Sequence, residues 1–595
     1  MLVVFGITLL AFLLFASEVV PVDVTALITM ALLMILEPWT RISIEEGISG
    51  FSNEATITVL AMFILSAGIS RTGAVQMLST WMSSFAGTDE RKQLLAVVGV
   101  GGLPSAVLNN TPIVAMLIPA VSDLARGGGT SPSKLLIPLS YSAMVGGMLT
   151  LIGTSTNIVA SDVSERLIGN SFSMFEFTPL GAIVFVTGTL YVVFVAQHLL
   201  PERVSPDEGL LEEYEMEGYL TEVVVDDGSP LVGESVDAIL AETDLDVEVI
   251  QLIRDGERYI EPFTETTIRA GDVFIVRANL ATVRALMRAE GLSFASSPDV
   301  TEEELEAVAR RKTLVELVVP AQSRLVGTSL SEALFRERYD ANVLAIRRER
   351  TLLHNRLDEL LLRGGDTLLV QATEESLNQL ATDPDVIVAH QVADPDYRTG
   401  KIPIAVAIIG GVVGLAALGV VDILIAALGG VILMLFSGVL HSDELYDAIE
   451  WNVIFLLAGL IPLGIAFEET GAAALIGSLV AQSATVLPPI GVLWLFYVVT
   501  ALTTALVSNA GSVVLLIPVG VATANQIGAD PFAFVLAVTF AASADFMTPI
   551  GYQTNLLVYG PGGYRFTDYF RVGAPLQVLL SIATVLGIAL IWGIT

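Results

Sequence analysis

Two asparagines and a proline interrupt an apolar stretch at Leu108-Asn109-Asn110-Thr111-Pro112, and a matching interruption stands at Val507-Ser508-Asn509-Ala510-Gly511. A side-chain amide in apolar surroundings costs free energy unless it is hydrogen-bonded. Each amide could simply cap a half-helix inside a hairpin. Its occurrence at two matched places favours binding, with side-chain oxygens offered to a hard cation and N–H groups to an anion. A second pair of interruptions runs from Gly146 through Gly153, Thr154, Ser155 and Thr156 to Asn157, and from Asp545 through Thr548, Pro549 and Gly551 to Thr554 and Asn555. Unwinding a membrane helix there would free carbonyls for a cation such as Na⁺ and N–H groups for an anion, with Thr154, Asn157, Thr554 and Asn555 as further ligands. The plainer alternative is a kink whose hydroxyls bond the preceding turn. Asp545 has no acidic counterpart and is matched to Gly146. A carboxylate within a span is costly and usually functional, so Asp545 is a candidate to bind a cation or carry a proton, unless it lies at a helix end in water. Glu18, Glu54 and Glu468 read as interfacial residues that snorkel or cap.

Other chemistries lack their residues. Cysteine is absent and the four histidines are scattered, so thiolate and His-based metal sites are not indicated. No GxGxxG, Walker, HExxH or Ser/His/Asp pattern occurs, and nothing favours an enzyme. The net charge of −34 argues against nucleic-acid binding, which needs a basic footprint. Residues 201–400 hold 41 Asp/Glu against 19 Lys/Arg, a net of −22, so a third of the chain carries about two thirds of the excess. This acidic, lysine-poor composition resembles a salt-adapted surface, in which hydrated carboxylates keep the protein soluble under screening.

The elements that must position these residues are membrane helices. Of the 595 residues 53% are hydrophobic and only 15% charged. Five apolar spans are predicted near 2–17, 20–37, 55–70, 133–152 and 178–199, with a broken segment at 94–125 that reads as a re-entrant hairpin. Such backbone is tolerated at membrane depth only where it is buried or lines a cavity. The first span is read as a membrane helix and not a signal peptide, since it lacks a basic n-region. Spans near 402–418, 421–437, 452–467, 530–547 and 573–594, with a hairpin at 488–524, repeat the plan. Asn110 answers Asn509, Pro119 answers Pro518, Gly153 answers Gly551 and Asn157 answers Asn555, at an offset of 398 or 399. Five spans per half is an odd number, so the halves are expected in opposite orientations, a recurrent transporter design. With 201–400 cytoplasmic, inner loops hold Arg71, Arg91, Lys92, Arg126, Lys134, Arg565 and Arg571, against Arg41 and Arg166 outside, which places both termini outside. The expected fold is therefore a polytopic α-helical membrane protein of two inverted repeats, 1–200 and 400–595, around an insert.

The insert also repeats itself. Leu231-Val232-Gly233 answers Leu325-Val326-Gly327, and Gly271-Asp272 answers Gly365-Asp366, both 94 apart. Two small α/β modules are expected, 205–292 and 310–390, joined by the acidic stretch Thr301–Glu306.

The runs "SYSAMVGGMLTLIGTSTNIV" and "TPIGYQTNLLVYG" resemble the divalent anion:Na⁺ symporter family (SLC13-type permeases) of the wider ion transporter superfamily, over about 390 residues. In the insert, "SPLVGES…IRAGDVFIV" and "SRLVGTS…LRGGDTLLV" resemble tandem TrkA-C (RCK-C) regulatory modules. The resemblance implies an elevator transporter in the cell membrane, usually a homodimer, that couples Na⁺ to a small anion of the sulfate or carboxylate class, with the modules binding a small ligand of unknown identity. It implies one cation site from Ser105, Asn110 and carbonyls near Gly153, and another from Thr504, Asn509 and carbonyls near Gly551. It places the anion at Asn109-Asn110-Thr111 and Ser508-Asn509. Asn109 stands where the family has Ser, and Ala510 where it has Thr. The lost hydroxyl favours a compact anion over a dicarboxylate. A cation/proton antiporter, motivated by Asp545, and a membrane-anchored ligand sensor are the alternatives.

Overall fold

The computed structural model describes nearly all of 1–204 and 397–594, most of 312–389, and within 205–311 only short stretches between 220 and 294. Glu18, Val507, Ile550, His354, His390 and the stretch Thr301–Glu306 lie outside the described residues, as does most of the expected first module.

Among the described residues, nine helices of seven or more residues precede the insert and nine follow it. The first nine are α1 (Leu2–Ser17), α2 (Val22–Ile35), α3 (Glu54–Thr72), α4 (Ala74–Ala86), α5 (Glu90–Ser105), α6 (Asn110–Gly127), α7 (Leu136–Gly147), α8 (Ser155–Ile168) and α9 (Thr178–Tyr191, continued to Leu199). The second nine are α10 (Ile402–Ala417), α11 (Ile423–Phe436), α12 (Trp451–Glu469), α13 (Ala472–Ala481), α14 (Pro489–Thr504), α15 (Asn509–Ile527), α16 (Pro531–Ala542), α17 (Gln553–Tyr559) and α18 (Phe566–Ile591). Helices α4 and α13 were not expected. They start at Gly73 and Gly471, whose φ values of 75° and 73° let the chain turn at once from one helix into the next.

Among the described residues, six helical stretches are long and apolar enough to cross a membrane: Ile44–Thr72, Thr178–Leu199, Thr399–Ala417, Trp451–Glu469, Asn509–Ile527 and Phe566–Ile591. Large apolar side chains on their outer faces and neighbours, such as Leu2, Phe436 and Leu590, are more than 80% exposed. An outer surface of this kind suits lipid and not water.

The helices pack as two sets that also touch each other, α12 lying on α15 and α8 on α3. In one, α2 packs along α12, and α3 along α11, which also carries α10. The other holds α5 to α9 and α14 to α18. Within it, α8 leaves its own half to pack on α15 and α16, and α17 leaves its half to pack on α6 and α7. Each break therefore lies where the two halves meet.

Among its described residues the insert shows two five-stranded antiparallel sheets. One comprises β1 (Leu220–Val225), β2 (Glu248–Arg254), β3 (Glu257–Tyr259), β4 (Val273–Arg277) and β5 (Leu292–Phe294) in the order β3-β2-β4-β1-β5. The other comprises β6 (Lys312–Val318), β7 (Ala341–Arg348), β8 (Thr351–Leu353), β9 (Thr367–Thr373) and β10 (Ile387–Val388), and its order β8-β7-β9-β6-β10 is the same. The register shifts at Val249/Gln251 and again at Val343/Ala345. Arg254 forks onto Asp272 with two bonds of 2.7 Å, and Arg348 forks onto Asp366 at 2.9 and 2.6 Å. Each of these features recurs at a spacing of 94.

The second sheet rests on the helical part. Arg347, paired with the buried Glu316 at 3.0 Å, reaches the Gly560 carbonyl at 3.4 Å, just beyond α17. Gly365 packs on Leu556, and Thr367 on Gly560. The incoming chain is pinned by Arg203 to Asp568, at 2.9 and 3.2 Å, and by Ser133 to the Arg203 and Val204 amides. The outgoing chain is pinned elsewhere: the Arg398 amide donates to the carbonyl of Arg71 in α3, and its guanidinium pairs with Glu444 at 2.7 Å.

Candidate functional site

The tip of the first hairpin lies between α5 and α6. Asn109 is the cap of α6, its Oδ1 accepting from the Thr111 amide at 3.1 Å, so its side chain is used locally. Ser508 caps α15 in the same way, accepting from Gly511 N at 3.1 Å. The plainer reading of capping thus describes both residues.

The next residues differ. Asn110 is 1% exposed, and its Nδ2 donates to the Tyr552 hydroxyl at 2.7 Å. Its Oδ1 is buried with no hydrogen-bond partner. A Cβ on Gly147 would stand 2.9 Å from that oxygen and 3.2 Å from the Gly153 carbonyl; one on Gly153 would stand 2.5 Å from the Gly147 carbonyl and 2.8 Å from that of Ser105. The amide of Asn110, whose Nδ2 would stand 2.8 Å from the same Gly147 Cβ, thus lies close to the carbonyls of Ser105, Gly147 and Gly153, of which that of Gly147 already accepts from Asn157. The Ser105 hydroxyl is turned to Gly101 O at 2.7 Å. An orphaned buried oxygen among carbonyls fits a hard monovalent cation, which takes oxygen ligands and leaves none unsatisfied.

In the second half, Asn509 Oδ1 accepts from Thr504 Oγ1 at 2.8 Å, and the same hydroxyl lies 3.0 Å from Ala542 O. Asp545 is 2% exposed and borders Gly551.

The two breaks are clamped alike. Asn157 Nδ2 donates to the carbonyls of Gly147 at 3.2 Å and Thr150 at 2.9 Å. Asn555 Nδ2 donates to those of Asp545 at 2.9 Å and Thr548 at 3.0 Å. The sequence intervals within the two clamps are identical, so Asp545 is the counterpart of Gly147, and the expected match to Gly146 is off by one residue. The two asparagine amides hold the unwound segments open. Thr554 and Asn555 also meet Ser140 of α7, at 2.8 and 2.6 Å, in a fully buried contact between the halves. Thr150 donates to the Ala106 carbonyl and ties the first break to its hairpin.

Three residues at the site were not singled out from the sequence. Tyr552 bridges Asn110 and Thr154, and Gln553 Oε1 accepts from Thr111 Oγ1 at 2.9 Å while its amide meets Glu450. Tyr552 and Gln553 occupy the places of Thr154 and Ser155, a large departure between matched segments that was itself a signal. Glu450 carried no such signal, because only folding brings the start of α12 to α17. Of the expected residues, the structure gathers Ser105, Asn110, Thr111, Gly153 and Thr154 with Tyr552 and Gln553 on one side, and Thr504 with Asn509, and Asp545 with Gly551, on the other.

Residues 12–539 and 493–594 match the family model described as citrate transporter. An uncharacterized transporter of Synechocystis sp. is 41% identical over 594 residues, which is 99% of this chain and 97% of that relative. Sodium/sulfate cotransporter 1 of Chlamydomonas reinhardtii is 23% identical over 779 residues, covering 97% of this chain and 88% of its own. The solved YdaH transporter of Alcanivorax borkumensis aligns over 92% of this chain and 87% of its own, at 13% identity and a TM-score of 0.42, too distant to argue from. These relatives are consistent with the ion transporter superfamily. On the extent of the family match and the whole-length identity, together with its six candidate membrane helices, this chain is a multi-pass membrane protein belonging to the citrate transporter family.

Proposed function

We propose that the chain is a secondary active transporter that couples a Na⁺ gradient to the movement of a small anion of the sulfate or carboxylate class. The observation that carries this reading is the unpartnered Oδ1 of Asn110 among the carbonyls of Ser105, Gly147 and Gly153. Leaving such an oxygen buried and unmet costs about 1–3 kcal/mol, which a bound cation would recover. On this reading Thr504 and Asn509, which pair with each other, and Gly551, which borders Asp545, supply the second cation site. Asn110, Thr111, Thr154 and Tyr552 are the polar groups an anion would meet on the first side; Ser508, Asn509, Thr554 and Asn555 are those it would meet on the second, once the bonds that now hold Ser508, Thr554 and Asn555 are shared with it. The distant sodium/sulfate cotransporters of Chlamydomonas reinhardtii support both the ion and the anion class.

The division into two helix groups, one holding both hairpins and both breaks, supports an elevator movement of inverted repeats. The outer apolar surface supports a place in the cell membrane; the homodimer is what the family resemblance implies, and the cytoplasmic insert with both termini outside follows from the distribution of Lys and Arg. The matched sheets support a regulatory pair of TrkA-C-like modules that respond to a small ligand. In proteoliposomes loaded without Na⁺, uptake of sulfate, succinate or citrate should rise with an inward Na⁺ gradient. Uptake indifferent to Na⁺ for all of these would refute the coupling.

A cation/proton antiporter is the second reading, favoured by the buried carboxylate of Asp545. It requires Na⁺ efflux driven by a proton gradient without any anion. Asp545→Asn should abolish that flux, and a retained flux would exclude this reading.

A further inference from the structure

The clamps of the two breaks are alike, but the residue that supplies the first carbonyl is Gly147 in one and Asp545 in the other. At Gly147 a side chain would strike the Asn110 amide, so the first pocket is lined by neutral groups only. At Asp545 the carboxylate fills the corresponding ground over Gly551, where an added Cβ would fall 1.6 Å from Oδ2. Asp545 Oδ1 has one long contact, from Thr548 Oγ1 at 3.4 Å. Oδ2 is buried without a hydrogen-bond partner, and among the described residues no Lys or Arg pairs with Asp545. The hydroxyls of Ser543, two residues before Asp545 and 4% exposed, and of Ser512, three residues after Asn509, are likewise buried and unpartnered. A carboxylate taken out of water without a counter-charge is strongly disfavoured. This corner therefore calls for a cation more strongly than its neutral twin does.

On the Na⁺-coupled reading above, we propose that the two cation pockets are unequal: the second, with Asp545 as a charged ligand, takes its Na⁺ before the anion arrives, and the first fills only together with the anion. Na⁺ beside Asp545 makes a neutral pair. Na⁺ among the oxygens of Ser105, Asn110, Gly147 and Gly153 leaves a net positive charge in surroundings of low dielectric, and the incoming anion removes that excess. A loading order of this kind ties the first Na⁺ site to the substrate and suppresses passage of Na⁺ alone.

The test is equilibrium binding of ²²Na⁺ to the purified full-length chain, without sulfate or carboxylates and then with sulfate. The wild type should bind about one Na⁺ per chain alone and about one more with sulfate. Asp545→Asn, which keeps the shape, should weaken the anion-free binding at least about tenfold, as expected for loss of a charged ligand at close range. Asp545→Glu should restore part of it. Equal occupancy of both pockets by the wild type without anion, no occupancy at all, or unchanged binding by Asp545→Asn would overturn the proposal. If Asp545→Asn does not fold, the wild-type stoichiometry alone decides. Sulfate, succinate and citrate uptake by the wild type is measured in parallel. Uneven Na⁺ binding without Na⁺-driven uptake would leave the unequal pockets standing and refute the coupled-transport reading.

Discussion

Tyr552 is the point where the second half touches the first hairpin. Its hydroxyl takes a hydrogen bond from Asn110 and lies against Thr154, while Gln553 beside it engages Thr111. These contacts engage polar groups that the sequence assigned to an anion, so the phenol either yields to the substrate or joins in holding it. In both cases its removal changes binding. Tyr552→Phe should change the half-saturating anion concentration by about tenfold, since a hydrogen bond to a charged group contributes roughly 1.5–3 kcal/mol. Concentration series in proteoliposomes read this directly, and an unchanged value would remove Tyr552 from the site. Gly153 tests the neighbouring cation pocket. A methyl group there meets two carbonyls at 2.5 and 2.8 Å, so Gly153→Ala should destabilise the fold by about 1–3 kcal/mol and raise the Na⁺ concentration needed for uptake. Thermal unfolding and Na⁺ titration measure the two effects separately.

Helices α7 and α16 stop at Gly147 and Ala542 because the chain there is rich in glycine, proline and hydroxyl residues. What keeps the unwound segments in one shape is a single asparagine in each, two turns further on, donating to two carbonyls. Asn157→Ala and Asn555→Ala should each cost about 1–3 kcal/mol through carbonyls left unpaired, and should lower transport more than they lower expression. Asn157→Asp is informative, because it replaces the donating amide by a repelling carboxylate and should be worse than alanine. The breaks were legible in the sequence, since proline and glycine in an apolar run disfavour a continuous helix. The clamps were not. Asn157 and Asn555 read from the sequence as ligands, and nothing local shows that their amides also serve the backbone.

At the scale of the molecule, the second sheet stands on α17, and its incoming and outgoing chains are fastened to different helix groups: Arg203 to Asp568 of α18, and Arg398 to Arg71 of α3 and to Glu444. On the elevator reading, this fastening is where the insert would act on displacement of one group against the other. Deleting about 205–395 with a flexible replacement should change the maximal rate and leave substrate affinity unaltered; loss of affinity in a well-folded deletion would contradict this. Arg347→Met alone should cost roughly 3–5 kcal/mol, as breaking a buried ion pair does, while the double change with Glu316→Leu should cost far less. Thermal unfolding of the two variants separates these outcomes.

From the sequence alone come the apolar stretches and the places where they are interrupted, because hydrophobic length and helix breakers are properties of local chain chemistry; that Asn509–Ile527 is long and apolar enough to cross a membrane was not expected of a segment read as a re-entrant hairpin. The sequence also marked Asp545 and Ala510 as the places where the halves differ. Tertiary structure alone decided that α8 and α17 cross into opposite halves, that Asn110 meets Tyr552 across 442 positions, and that Glu450 joins the site. It also decided that Asp545 matches Gly147, since that assignment rests on equal hydrogen bonds and not on similar residues. Contacts between distant segments depend on how helices pack, and packing is a property of the folded chain as a whole.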